Sequence, residues 1–156
     1  MVTILRKAGS LSYVLWGLLH IVVGLYPVAL FLESGPGAML SSIHGMAPIP
    51  TMSMEEPILH MAFLTAEQYF NLAAFGVMAI WIAFRLNWRG SVLGFWLNLV
   101  VLGLVDLSFI VAEIVPGYMP LQVGLWGPIL YVLGAAGTGL GLYLSRRNGT
   151  PPSRRS

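Results

Sequence analysis

Residues 90–115 read GSVLGFWLNLVVLGLVDLSFIVAEIV, an apolar run long enough to cross a bilayer that nevertheless carries Asn98, Asp106 and Glu113. A span needs about 20 apolar residues, so length alone makes this stretch a membrane helix. An acid near the centre of such a helix costs roughly 2.5 to 3.5 kcal/mol and usually faces a partner, a cavity or a pathway. Asp106 and Glu113 are seven residues apart. At about 100° per residue they fall within roughly 20° of each other on one helical face, and that face cannot be wholly turned to lipid.

Working outward, the composition agrees. Hydrophobic residues make up 57% of the 156 and charged residues 9%, with a mean hydropathy of +0.81. This is the composition of a membrane protein, and the chain has room for four spans in a single domain. The reading is an all-α fold with four transmembrane helices in an antiparallel up-down bundle. The expected spans cover about 10–32, 65–87, 90–115 and 121–145, with one long outer loop at 33–64 and a basic tail at 146–156.

Several boundaries have local causes. The first apolar run is longer than the 7 to 15 residues typical of a signal core, so it reads as a retained helix, with Pro27 near its far end. The loop is punctuated by Pro36, Pro48, Pro50 and Pro57, within which 38–43 reads as a turn or two of interfacial helix and 55–64 as a lead into the second span. Trp81 and Trp88 mark an interfacial end of that span. The tight turn at 87–91 makes the second and third spans a hairpin. Pro116-Gly117 stops the third helix, and Gly127-Pro128 interrupts the start of the fourth.

Charge sets the orientation. Arg6, Lys7, Arg85, Arg89, Arg146, Arg147, Arg154 and Arg155 all fall on one side of a four-span layout, while Glu33, Glu55 and Glu56 belong to the other. The positive-inside rule then puts both termini in the cytoplasm, as for a bacterial inner (plasma) membrane protein. Topology accounts for the net charge of +2, so nucleic acid is set aside as a partner. Cysteine is absent, which excludes thiolate ligands, thiol nucleophiles and disulfides.

Counted by depth, His20 lies near the midplane, Asn71 and Asp106 outward of it, and Glu67, Gln68 and Glu113 near the outer surface. Together with Asn98, these residues are expected to line a polar pocket that opens outward. The plainer reading makes Glu67, Gln68 and Glu113 interfacial, and makes Asp106 a structural hydrogen-bond partner of His20, Asn71 or a tyrosine. A second constellation sits in the loop, where His44, Met46, Met52, Met54, His60 and Met61 offer the soft thioether and imidazole ligands that suit Cu(I). Methionine is equally the adaptable filler of apolar gaps. Gly90 with Gly94, and Gly137 with Gly141, form small-xxx-small pairs suited to close helix approach in a homo-oligomer or a larger membrane complex.

No phosphate-binding glycine loop, dinucleotide fingerprint, His-Glu-x-x-His motif or nucleophile elbow is present, and the sequence leaves any cofactor unspecified. The expected function is a noncatalytic binder of a lipid, quinone or similar amphiphile, or an accessory subunit of a membrane complex. Two alternatives stand beside it. One is a membrane-embedded enzyme using His20 and Asp106 as acid and base, and the other a homo-oligomeric proton- or cation-coupled transporter.

Overall fold

The computed structural model describes residues 2–44 and 55–148. Every regular element among them is helical: α1 (Val2–Ser34), α2 (Pro36–His44), α3 (Glu56–Arg85), α4 (Val92–Leu97), α5 (Gly103–Phe109), α6 (Leu121–Gly124) and α7 (Trp126–Arg147). A 3-10 turn at Asn87–Arg89 follows α3, and π-helical turns at Asn98–Leu102 and Ile110–Ile114 flank α5. Four stretches are long and apolar enough to cross a membrane, namely Val2–Ser34, Glu56–Arg89, Val92–Ile114 and Leu121–Arg147. The protein is therefore an integral membrane protein in its architecture.

The surface of these helices is apolar and much of the buried interior is polar. Between 17% and 28% of each span's most hydrophobic window is buried, and residues such as Leu93, Trp96, Val100, Leu104, Leu107 and Val111 are exposed along the third span. Ser10, Asn87, Asn98, Asp106, Thr138 and Ser145 are buried. Such a distribution suits hydrocarbon as the solvent, where association rests on packing and interhelical hydrogen bonds rather than on hiding apolar area.

The helices extend beyond the expected limits. α1 has 33 residues, about 50 Å at 1.5 Å per residue, so it begins at Val2 rather than near residue 10 and carries Arg6 and Lys7 inside the helix. Part of the expected outer loop is also helical. α2 covers the segment read as interfacial helix, and α3 begins at Glu56, running without interruption into the second span.

The contacts divide the chain into two units, one made of residues up to Leu18 and from Val77 onward, the other of Leu19–Gly76. In the second unit, Gly24 on α1 meets the Tyr69 carbonyl and Ala73 on α3, while Phe31 stacks edge-on against Phe63 at 5.1 Å. As residue numbers rise along α1 they fall along α3, so the two run antiparallel. Gly35, at φ 86°, turns the chain into α2. That helix buries Met39 against Ala62 and Ala66, with Phe31, Leu40 and Ile43 packed around them. Met39, part of the methionine-rich loop, is thus a core residue of this unit.

The first unit has the same antiparallel logic. Arg6, Gly9 and Tyr13 on α1 meet Gly141, Gly137 and Gly134 on α7. Phe95 meets Gly139, Tyr131 meets Gly103, and Ile114 meets Gly124, so the third and fourth spans also run in opposite directions. Between the second and third spans, Gly90 adopts φ 78° after the 3-10 turn. Ser91 then caps α4, its hydroxyl accepting from the Gly94 N–H at 3.3 Å, as a serine N-cap does. Pro128 has no N–H to give the Gly124 carbonyl four residues back. The fourth span accordingly breaks at Leu125, whose carbonyl then accepts from the Ile129 N–H at 2.9 Å.

Candidate functional site

The buried residues of the third span recur at every fourth position: Gly94, Asn98, Leu102 and Asp106. In a uniform α-helix each four-residue step overshoots a full turn by about 40°, and the series would drift around the surface. The π-helical turn at Asn98–Leu102 takes up an additional residue and returns Asp106 to the interior. A second π-helical turn follows at Ile110–Ile114, with the Val115 N–H bonded to the Ile110 carbonyl at 2.9 Å. The uniform spacing that aligned Asp106 with Glu113 therefore does not hold, and Asp106 is buried whereas Glu113 is half-buried.

Asp106 is 3% exposed and Trp16, from α1, is fully buried. The Trp16 indole Nε1–H donates to both carboxylate oxygens, at 3.2 Å to Oδ1 and 3.1 Å to Oδ2. A carboxylate in an apolar interior requires donors and a buried indole requires an acceptor; the pair gives the indole its acceptor and the carboxylate one of its donors.

The π-helical turn has its own side-chain partner. The Gly103 N–H bonds to the Val100 carbonyl rather than to that of Leu99, its α-helical partner. The Leu99 carbonyl accepts from the Tyr131 hydroxyl at 2.7 Å. A Cβ on residue 103 would stand 2.5 Å from that hydroxyl, so glycine is what lets the tyrosine reach the backbone. Tyr131 also lies against Tyr13, with ring centroids 6.4 Å apart.

Between the third and fourth spans these residues leave an open groove of about 440 Å³. Val100, Leu104, Leu107, Ile110, Pro128 and Val132 form much of its apolar wall, and Asp106 and Tyr131 are its polar members. Exposed Val100, Leu104, Leu107 and Val132 make up its rim.

Of the residues expected to share one pocket, Asp106 lines this groove. Asn98 is buried on the same face of the third span, its amide atoms without hydrogen-bond partners. His20 is half-buried on α1, and Glu67, Gln68 and Asn71 are exposed on α3. In the loop constellation, His60 and Met61 are exposed on α3 and His44 ends α2, while Met46, Met52 and Met54 lie outside the described residues. Most of the basic tail, 149–156, lies outside them as well. Among the described residues no three His, Cys, Asp or Glu side chains gather as for a metal ion.

Sequence reading passed over Trp16 and Tyr131. Both carried a signal: an indole or phenol far from the interfacial belts must find a buried partner for its polar atom. The glycines read as an association face meet residues of their own chain, Gly137 and Gly141 against α1, Gly94 against Leu86 and Asn87, and Gly90 against Arg6. No protein-family model matches the chain, and no curated protein or solved structure matches it either.

Proposed function

We propose that this protein is a noncatalytic membrane component that holds an amphiphile in the groove between its third and fourth spans. The acyl or isoprenoid portion lies along Val100, Leu104, Leu107 and Val132, and the polar head reaches toward Asp106 and Tyr131. One observation carries this reading: an open, mainly apolar groove has a buried carboxylate among its lining residues. An acid in hydrocarbon is costly, and pairing it with Trp16 at the wall of an open groove gives it a use that a sealed helix contact lacks. A carboxylate accepts hydrogen bonds, so the fitting head group is a donor such as a hydroxyl or an amine.

In this proposal both termini face the cytoplasm, following the lysine and arginine distribution. Native mass spectrometry of gently extracted protein tests it, comparing wild type with Asp106→Asn and with Val132→Trp, which fills the groove from an exposed position. The expected result is a stoichiometric amphiphile in wild type that is depleted in both variants. An empty wild-type protein, or equal occupancy in all three, refutes it.

A further inference from the structure

The first unit carries its lysine and arginine residues in segments remote in sequence from Asp106. Arg6 and Lys7 lie on α1, Arg85 and Arg89 bracket the turn into the third span, and Arg146 and Arg147 close α7. The acidic residues of the chain are Glu33, Glu55, Glu56, Glu67, Asp106 and Glu113, none of them in these segments. Topology alone requires only that such cations be near water on one side.

Arg6 is held more closely than topology requires. A Cβ on Gly90 would stand 2.6 Å from Arg6 Nη1, and one on Gly141 would stand 3.0 Å from Arg6 Cβ. The side chain thus passes between two glycines, one in the turn at φ 78° and one on α7. Its Nε is buried and has no hydrogen-bond partner. Lys7 is also positioned, its Nζ 5.2 Å from the centre of the Trp88 ring. The first turn of α1 carries no acid, so the positive end of that helix dipole adds to Arg6 and Lys7 rather than offsetting them. A guanidinium positioned in this way, beside further cations and in segments that carry no Asp or Glu, matches a phosphate.

We propose that Arg6, with Lys7 and Arg146 contributing charge, binds the phosphate of an anionic phospholipid head group at this end of the first unit. The chemistry recognised is a phosphate anion, and the membrane leaflet supplies it at high local concentration. This site is separate from the groove and stands whether or not an amphiphile occupies that groove.

Native mass spectrometry of the full chain, titrated with phosphatidylglycerol or phosphatidylcholine of matched acyl chains, tests the proposal. Wild type should retain phosphatidylglycerol at least about ten-fold better, and Arg6→Gln should abolish the preference. Lys7→Gln and Arg146→Gln, both at exposed positions, should each weaken it about five-fold. Val132→Trp should leave it unchanged. Equal retention of the two lipids by wild type overturns the proposal, as does an intact preference in an Arg6→Gln protein with wild-type helicity. Should Arg6→Gln fail to fold, an unchanged preference in both Lys7→Gln and Arg146→Gln overturns it. Displacement of the lipid by millimolar inorganic phosphate would assign the site to the free ion and overturn the lipid assignment.

Discussion

Replacing Gly9 with alanine tests the packing on which the first unit depends. The added Cβ would stand 2.5 Å from the Thr138 nitrogen, 2.8 Å from the Gly137 carbonyl carbon and 2.9 Å from the Gly134 oxygen. All three are backbone atoms of α7, so no side-chain rotation relieves the contact, and α1 and α7 must part by about 1 Å. A gap of that size forfeits roughly a quarter to a half of each dispersion contact along the seam. Overpacking of this kind costs about 1–3 kcal/mol, against about 1 kcal/mol that alanine gains over glycine in helix propensity. Because the opposing atoms are backbone, the cost falls in the upper part of that range, about 2–3 kcal/mol, and net of the propensity gain Gly9→Ala should lose about 1–2 kcal/mol. Gly139→Ala is the matched control, because its Cβ would meet only the Phe95 ring, nearest atom 3.0 Å, and that ring can turn aside. Reversible unfolding in dodecyl sulfate, followed by helical circular dichroism, measures both. A Gly9→Ala protein as stable as wild type, or a Gly139→Ala protein more damaged than it, would refute the packing described for α1 and α7.

Two further substitutions probe the site. Trp16→Phe removes the indole donor from the Asp106 carboxylate and should cost about 1.5–3 kcal/mol, the range for hydrogen bonds to charged groups. In the same unfolding assay, adding Asp106→Asn should recover part of that loss, and strictly additive losses would show the pair to be uncoupled. Tyr131→Phe removes the bond to the Leu99 carbonyl and should cost about 1 kcal/mol, with faster hydrogen exchange confined to the π-helical turn and its neighbours. Unchanged exchange there would remove Tyr131 from the account of that turn.

The residues that were legible beforehand are those whose role is local. Pro116-Gly117 ends a helix and Gly127-Pro128 interrupts one in any surroundings, because each acts on backbone groups within a turn of itself. Asp106 was legible because any acid in hydrocarbon needs a partner, whichever residue supplies it. Its donor was not, since Trp16 lies 90 positions away and no periodicity links them. Asn71 was grouped with Asp106 on the basis of depth, yet it is exposed on α3. Depth along a span follows from counting residues, whereas the direction a side chain faces depends on how the helices rotate against each other.

The sequence by itself determined an integral membrane architecture, its four spans and several of the breaks between them, because a bilayer selects segments by the length of an apolar run and by backbone self-sufficiency. Tertiary structure alone decided that Trp16 meets Asp106, that Tyr131 occupies the space over Gly103, and that a groove opens beside them. It also decided the π-helical turn at Asn98–Leu102, which changes the register on which any helical wheel depends. The physical reason is that hydropathy is a sum over a segment. A hydrogen bond or a cavity instead requires particular atoms, brought together from helices far apart in the chain.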